Sequence, residues 1–231
     1  MPWPSLTEGF LIKRYKRFLA DVEIEGLGTV TAHTPNTGAM LDCSEPGRPV
    51  YLSLSPNPNR KYPYSWEMIA MPDGLVGVNT ALPNKLASLA FSMGTVPGFP
   101  KEGLKVESER RVGRSRLDLL LTLPDGTQVF VEVKNSTLVR DGVALFPDAV
   151  SQRGKRHLEE LSALAASGRR AALLVMVQRS GARHFSPADF IDPAWGKALR
   201  EAAAAGVEIL AHTVDLSLTE AGFGPALEIR L

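Results

Sequence analysis

The sequence predicts an α+β protein of two domains, an all-β barrel or sandwich followed by an α/β domain. Over residues 10–82, short apolar or alternating runs are broken by turn residues at spacings of roughly 8 to 12 residues, which is typical of a small all-β fold. From residue 84 onward, strand-like and helix-like segments alternate. A length of 231 residues allows one large domain or two small ones, and the change of pattern favours two, residues 1–83 and 84–231.

The elements of the second domain can be placed in order. Asn84 can cap a helix that runs to about residue 93 and carries Leu86 and Leu89 on one side. Two strands follow. The later elements are a helix over about residues 150–167, a buried strand over 171–178, an Ala-rich helix over 194–205 and a strand over 207–211.

Composition excludes several classes of protein. No apolar block reaches the roughly 18 residues that a membrane helix requires, and the first residues lack a secretory signal, so we expect a soluble cytoplasmic protein with no membrane partner. The single cysteine, Cys43, cannot form an internal disulfide or build a thiolate metal site, and we expect it to be a small buried hydrophobe. Any metal must therefore bind oxygen or imidazole.

Positive charge is clustered although the chain is nearly neutral. The 26 Lys and Arg residues against 25 Asp and Glu residues give a net charge of +1. Basic residues concentrate at positions 13–17, 110–116 and 153–157. Such clusters are typical of a phosphate-binding surface, but they also occur on solvated faces, and composition alone favours neither interpretation.

The segment from residue 116 to residue 134 predicts a hairpin with Asp125-Gly126 at its turn. Two registers compete, and they differ in how side chains are sorted between the two faces. If Asp118 opposes Glu132, the leucines of one strand share a face with the valines of the other, and the charged residues share the opposite face. If Asp118 opposes Val133, charged side chains are mixed with leucines. We prefer the first register, which implies a three-residue loop or a two-residue loop with a bulge. In it, the aliphatic face carries Leu117, Leu119, Leu121, Val129, Val131 and Val133, and the charged face carries Arg116, Asp118, Glu132 and Lys134.

The preferred register brings two carboxylates and an ammonium together. Asp118 and Glu132 would repel each other unless a cation lay between them, and oxygen ligands suit Mg²⁺ or Mn²⁺, with waters and a substrate phosphate completing the shell. Lys134 could position or help deprotonate a water and neutralise charge on a phosphate in transfer. The alternative is a cross-strand salt bridge between Lys134 and either acid, without catalysis.

Longer motifs extend over nearly the whole chain. They are His33-Thr-Pro-Asn-Thr-Gly38, Arg60-Lys-Tyr-Pro-Tyr-Ser-Trp66-Glu, Gly77-Val-Asn-Thr80, Gly113-Arg-Ser-Arg-Leu-Asp118, Glu132-Val-Lys134-Asn-Ser-Thr-Leu, Phe146-Pro-Asp-Ala-Val-Ser151 and Arg153-Gly-Lys-Arg-His157-Leu. Together they resemble the sugar fermentation stimulation protein A family. The resemblance implies an N-terminal OB-fold-like β-barrel, a C-terminal α/β domain similar to PD-(D/E)xK nucleases, and an association with DNA. It assigns metal binding to Asp118 and Glu132, and the orientation of water to Lys134.

One departure from the nuclease pattern concerns a further acid. Nucleases of this type often take one from the first helix of the domain, and residues 84–93 contain none. Glu107 or Glu109 could substitute, or these acids could pair with Arg110 and Arg111. Gln152 or His157, on the helix after the hairpin, could also approach the metal.

Nucleic-acid phosphates are expected to meet cations from both domains. In the second domain these are Arg116 beside the acids, and Arg153, Lys155 and Arg156 at the start of a helix, whose amino end favours anions. In the barrel they are Arg14, Arg17 and Lys61, which alternate with aromatic residues as in OB folds. Alternatively, Phe18, Tyr62 and Trp66 are core residues, which we favour, and the cations form a solvated face.

The sequence thus predicts a DNA-binding protein that hydrolyses phosphodiester bonds with Mg²⁺ or Mn²⁺. The main alternative is a DNA-binding regulator of sugar-metabolism genes whose nuclease-like fold does not cleave, consistent with the missing helix acid. A nuclease acting on RNA is a further possibility. The oligomeric state stays open.

Overall fold

A computed structural model describes residues 1–112 and 115–231, except the side chains of residues 110–112 and 115. The N-terminal half is a barrel whose strand order is β3-β2-β1-β4-β5-β6. A parallel pairing of β3 with β5, in which Ala32 lies opposite Tyr64, closes the first five strands into a ring. The strands are β1 (Leu6–Tyr15), β2 (Leu19–Ile24), β3 (Gly28–His33), β4 (Pro49–Leu54), β5 (Tyr64–Met71) and β6 (Gly74–Gly77).

The C-terminal half is a mixed sheet with helices on both faces, as alternating elements predict. Its strand order is β15-β14-β12-β9-β8-β7, with β9, β12 and β14 parallel, and a smaller sheet has the order β10-β11-β13-β16. The helices are α1 (Leu82–Met93), α2 (Gln152–Ala166) and α3 (Pro193–Ala204). The strands are β7 (Lys105–Val112), β8 (Ser115–Thr122), β9 (Gln128–Ser136), β10 (Leu138–Arg140), β11 (Val143–Phe146), β12 (Arg170–Val177), β13 (His184–Pro187), β14 (Glu208–Leu216), β15 (Ala221–Ala226) and β16 (Glu228–Ile229).

Both faces of the large sheet are buried, and each belongs to a separate core. The face towards α1 packs Leu119, Leu121 and Val131 against the helix residues Leu86 and Phe91. The opposite face packs the β8, β9 and β12 side chains against α2 and α3. That second core contains Leu120, Phe130, Leu173, Leu158, Leu161, Trp195 and Leu199. The central strands are therefore fixed from both sides, and the end of the hairpin is held in a rigid frame.

The β8–β9 hairpin has the register that the aliphatic pattern favours. Leu119 lies opposite Val131 and Leu121 opposite Val129, and the pair of Leu119 with Val131 is the last of the ladder before Asp118 and Glu132. The turn is a three-residue loop centred on Asp125, in which Gly126 adopts a φ of 84°. This left-handed conformation favours glycine. The register therefore places the two acids just beyond the last paired residues, at the open end of the hairpin.

Two details of the predicted hairpin and helix are wrong. Leu117 does not share a core with Leu119 but belongs to the core on the α2 and α3 side. The reason is that the pairing of β8 with β9 ends at Leu119, and side chains before Leu119 no longer alternate between the two faces of the sheet. Asn84 is not a helix cap. Helix α1 begins at Leu82 after Ala81, with Pro83 in its first turn, so the predicted boundary between residues 83 and 84 falls inside the helix.

The two domains are held together by polar contacts. Arg179 donates from Nε and Nη2 to the Asp73 carboxylate at 2.8 and 3.1 Å, and its side chain is buried. The Gly77 amide donates to the Gln178 carbonyl at 2.8 Å. Residues 1–3 also pair with the far domain, where the amino terminus donates to the Ala221 carbonyl at 2.7 Å. The N-terminal residues therefore pack on the α/β domain.

Within the described residues, no helix combines the length and apolar character needed to cross a bilayer.

Candidate functional site at the domain junction

A cleft of about 670 Å³ lies where the barrel meets the α/β domain. Asp118, Glu132 and Lys134, on β8 and β9, form its base. Barrel residues line one side, including the loop of residues 35–39, and the start of α2 with the preceding residues 146–151 lines the other. The three ionisable side chains that the hairpin register predicts to converge thus face one cavity.

Glu132 is nearly inaccessible to solvent, with 2% of its surface exposed. Its Oε1 accepts a hydrogen bond from Lys134 Nζ at 2.5 Å and also contacts His157 Nδ1. Lys134 Nζ lies 3.2 Å from the same His157 nitrogen. The second oxygen, Oε2, is buried and has no hydrogen-bond partner within the described part of the chain. One carboxylate oxygen is therefore held by two side chains, while the other has no hydrogen-bond partner among the described residues. This is unusual for a buried charged group.

Asp118 is partly buried and is held by two hydrogen bonds. Its Oδ2 accepts from the Val133 amide at 2.9 Å, and its Oδ1 accepts from Asn84 Nδ2 at 2.9 Å. Burial, together with the negative charge of Glu132, raises the pKa of Asp118 despite these bonds. A cation bound nearby would oppose this shift, because positive charge favours the ionised form of Asp118.

The pKa of Glu132 moves in the opposite direction. Burial alone would raise it, but the hydrogen bonds and charges of His157 and Lys134 outweigh burial and hold the pKa below its ordinary value. The pKa values of the two acids are thus shifted in opposite directions. Such shifts are common at functional sites and also occur in structural ion pairs.

Two residues that contact the acids lie outside the predicted set of catalytic and metal-binding residues. Asn84 lies in the first turn of α1 and orients Asp118, where the pattern suggested only a cap. His157, considered only as a residue that could approach the metal, contacts Glu132 from α2. It belongs to the buried face of that helix together with Leu158 and Leu161. This helical spacing is the signal that could have indicated an inward-pointing histidine.

The described residues provide few metal ligands beyond the two acids. Within residues 1–112 and 115–231, no three His, Cys, Asp or Glu side chains converge in a way that would hold a metal ion by themselves. Glu109 pairs with Arg116 and is not among the residues that line the cleft, and Gln152 is exposed on α2. A cation at this site would therefore depend on Asp118, Glu132, waters and a bound phosphate.

The predicted phosphate-binding residues divide into two groups. Arg14, Arg17 and Arg153 line the cleft. The Arg14 guanidinium donates to the carbonyls of Asn36 and Gly38 at 3.0 and 2.8 Å, so it also fixes the loop of residues 35–39. The cleft thus brings together three of the seven predicted cations.

The other four predicted cations lie outside the cleft lining. Lys155 pairs with Glu159 at 3.5 Å, Arg116 pairs with Glu109, and Lys61 lies over the Tyr62 ring. Arg156 is exposed on α2. Their binding of nucleic acid stays a prediction. The side chains of Arg110, Arg111 and Arg114, which belong to the same basic cluster as Arg116, lie outside the described residues.

Two predictions about buried side chains can be compared with the structure. Cys43 is fully buried, as predicted, and burial raises the pKa of its thiol to about 11. The aromatic residues divide: Trp66 is a core residue of the barrel, Tyr62 is half-buried, and 44% of the surface of Phe18 is exposed. The prediction of a core role is therefore confirmed for Trp66 and wrong for Phe18.

Two family models match successive parts of the chain. The model described as the SfsA N-terminal OB domain matches residues 12–78, and the sugar fermentation stimulation protein RE domain matches residues 81–220. A sugar fermentation stimulation protein homolog from Geobacter sp. (strain M21) is 50% identical over 233 residues, covering 100% of this chain and 99% of its own. A homolog from Shewanella piezotolerans is 43% identical over 232 residues, covering 99% and 98%.

A solved structure is similar over the whole chain. The structure of Pyrococcus furiosus SfsA in complex with Ca²⁺ has a TM-score of 0.91 and 29% sequence identity, and the match covers 100% of this chain and 98% of that one. These matches confirm the predicted fold class, an N-terminal OB-fold-like barrel followed by an α/β domain that the family model describes as an RE domain.

Proposed function

This chain belongs to the sugar fermentation stimulation protein family, and from that premise we propose that it binds DNA and hydrolyses phosphodiester bonds with a divalent cation, Mg²⁺ or Mn²⁺. One observation carries the proposal. The buried Oε2 of Glu132 has no hydrogen-bond partner within the described part of the chain. It belongs to the same cleft as a second carboxylate, Asp118, whose pKa is raised by burial and by Glu132.

The residues at the base of the cleft fit a hard divalent cation. Two carboxylates that repel each other provide the oxygen ligands that Mg²⁺ and Mn²⁺ prefer. Asp118 and Glu132 would hold the ion. When bound, it would supply positive charge that polarises a phosphodiester. The Ca²⁺ complex of the similar Pyrococcus furiosus protein supports a divalent ion, without specifying Mg²⁺ or Mn²⁺.

The other side chains position these ligands and the reacting groups. Asn84 holds Asp118 through Oδ1, and His157 with Lys134 holds Glu132 through Oε1. Lys134, whose side chain is 14% exposed, can donate to an attacking water or to a phosphate oxygen. Arg17 and Arg153 can bind the phosphates on either side of the reacting one.

Hydrolysis adds one water across the ester. The water oxygen forms a bond to phosphorus, and the bond from phosphorus to one sugar oxygen breaks. The water loses a proton to solvent, and the leaving sugar oxygen takes one up, so the products are a phosphomonoester and a hydroxyl.

The test compares cleavage by the wild type and by two variants. Plasmid DNA, single-stranded DNA and RNA are incubated with Mg²⁺ or Mn²⁺ and the wild type, Asp118→Asn or Lys134→Ala. Lys197→Ala is the charge-matched control, because the Lys197 side chain is 78% exposed on α3 and lies outside the cleft. We expect cleavage by the wild type and the control and at least about 100-fold less by the other two. Undiminished cleavage by both variants would contradict the mechanism, and preferential cleavage of RNA would reassign the substrate.

The second candidate function is a DNA-binding regulator of sugar-metabolism genes that does not cleave. The observation that favours it is the amide of Asn84 at the start of α1, where the nuclease pattern often has an acid. Metal-dependent cleavage separates the two candidates, because a regulator would bind DNA without cutting it under any metal condition.

A further inference from the structure

We propose that Arg14 is a positioning residue, which holds Arg17 in place to bind a nucleic-acid phosphate. The inference rests on the proposed function, because it assumes that the cleft binds DNA. It goes beyond that function by giving two of the predicted cations different roles. Arg17 contacts the substrate, and Arg14 acts through Arg17.

The guanidinium of Arg14 is occupied by backbone carbonyls. Its Nη2 donates to the carbonyl of Arg17 at 2.5 Å and to the carbonyls of Asn36 and Gly38 at 3.0 and 2.8 Å. Its Nη1 donates to the Ala39 carbonyl at 3.4 Å. One side chain thus joins the turn that carries Arg17 to the adjacent loop of the cleft lining.

Little of the Arg14 guanidinium is left for a phosphate. Its Nε is closed to solvent and has no hydrogen-bond partner among the described residues. Its Nη2 is shared by three carbonyl oxygens. A phosphate would have to displace these carbonyls before it could bind Arg14 in the bidentate way that arginine favours.

The side chain of Arg17, in contrast, is available to a ligand. Arg17 is exposed and lines the cleft. Within the part of the chain that the structure describes, its guanidinium has neither a hydrogen bond nor an ion pair. Burial lowers the pKa of Arg14, and the nearby charge of Arg17 lowers it further. The two positive charges are therefore close together, which attracts an anion to this side of the cleft.

The backbone that carries Arg17 needs support. Lys16 and Arg17 lie in the turn between β1 and β2 and have φ angles of 49° and 65°. Two consecutive non-glycine residues in the left-handed region are rare, and such conformations persist where surrounding contacts hold them. The hydrogen bond from Arg14 to the Arg17 carbonyl is such a contact. Without it, we expect the turn to relax and the Arg17 side chain to leave its position in the cleft.

This role requires the shape of arginine in addition to its charge. A guanidinium presents its donors in a rigid fork that can reach several carbonyls at once, whereas a lysine ammonium is a point charge on a flexible stem. Lysine in place of Arg14 would keep the charge and lose most of these bonds. A phosphate ligand is less demanding, since lysine also binds phosphate as a point charge. Arginine-to-lysine changes at the two positions therefore distinguish the two roles.

The test is a double-mutant cycle on DNA binding in EDTA, where metal-dependent cleavage does not interfere. Wild-type protein, Arg14→Lys, Arg17→Ala, Arg17→Lys and the double variant Arg14→Lys/Arg17→Ala are titrated into labelled DNA of about 16 nucleotides, as a single strand and as its duplex. Fluorescence anisotropy at several salt concentrations measures the affinity and its salt dependence. Lys197→Ala, outside the cleft, is the control and should bind like the wild type.

We expect Arg17→Ala to weaken binding about fivefold to tenfold and to lower the slope of log affinity against log salt by about 0.7 for the single strand or about 0.9 for the duplex. Arg14→Lys should cause a similar loss of affinity and slope although it keeps the charge. The double variant should bind no more than about twofold more weakly than Arg17→Ala. Arg17→Lys should weaken binding by only about threefold.

Wild-type affinity in Arg14→Lys would overturn the inference. Additive losses in the double variant would also overturn it, because Arg14 would then act independently of Arg17. Both results contradict this inference alone. Absence of DNA binding by the wild type would contradict the proposed function and this inference together, whereas a failure of cleavage leaves the inference intact.

A measurement on the wild type decides the question if Arg14→Lys does not fold, which circular dichroism checks. The side-chain Nε–H signals of the two arginines are followed by NMR in isotope-labelled protein as unlabelled DNA of the same length is added. The Arg17 signal should shift, and the Arg14 signal should stay nearly unchanged, because its Nε is closed to solvent. A shift of the Arg14 signal as large as that of Arg17 would overturn the inference.

Discussion

The β8–β9 hairpin carries an aspartate at each end, and the two differ in their surroundings. Asp125, in the exposed turn, accepts a hydrogen bond from the Thr127 amide at 2.8 Å, and this bond lowers its pKa. Asp118, at the open end, has a raised pKa because of burial and the charge of Glu132. An aspartate thus stabilises a turn where its charge is solvated, as at Asp125. At Asp118 it is partly buried beside a second carboxylate and forms part of an acidic site.

The largest expected effect is a difference in cleavage between variants at the two ends of the hairpin. Glu132→Gln should reduce metal-dependent cleavage at least about 100-fold, because it removes the charge of a proposed metal ligand. Asp125→Asn, at the other end of the same hairpin, is the matched control and should cleave like the wild type. Gel assays of plasmid DNA with Mn²⁺ measure both. An equal loss of cleavage in the two variants would show that the open end of the hairpin has no particular role in catalysis.

The second prediction concerns the apolar segment between the two ends. Leu121 is fully buried in the core beneath α1. Leu121→Ala should lower the free energy of unfolding by about 3 kcal/mol, because a cavity replaces packed methyl groups. Urea denaturation measures this value. A loss well below about 1 kcal/mol would mean that the frame beneath the acids is loosely packed.

The third prediction tests how Asp118 is positioned. Asn84→Ala should weaken Mn²⁺ binding about tenfold, because Asp118 Oδ1 loses its donor at 2.9 Å. Alanine is a good helix former, so α1 should persist. Calorimetric titration measures the affinity, and circular dichroism checks the helix. Unchanged affinity would restrict Asn84 to a structural role.

The smallest expected effect is the difference in pKa between Asp118 and Asp125. Carbon-detected NMR titration of the metal-free protein should give Asp118 a pKa above the ordinary value of 3.8 and Asp125 a pKa below it. Asp125 then contributes stability above the ordinary value, and this contribution is lost as pH falls through its depressed pKa. For Asp118 the folded state holds the proton more tightly, so its contribution is lost as pH rises from 3.8 through its raised pKa. Coinciding titrations would contradict the comparison.

Much of the site could be predicted from the sequence because it depends on a local pattern. Alternating leucines and valines fix the hairpin register, and the register places Asp118 and Glu132 just beyond the last pair of the ladder. The change from short turn-bounded runs to alternating elements likewise predicted two domains. In both cases the signal is periodicity along neighbouring residues, which a single chain displays directly.

Only the tertiary structure decided which distant residues complete the site. Asn84 and His157 come from helices on opposite faces of the sheet, and Arg17 comes from the other domain. Of the predicted cations, Arg14, Arg17 and Arg153 line the cleft, while Arg116 pairs with Glu109 outside it. The physical reason is that these contacts depend on how helices and domains pack, and packing is determined by buried surfaces far apart in the chain that no local period encodes.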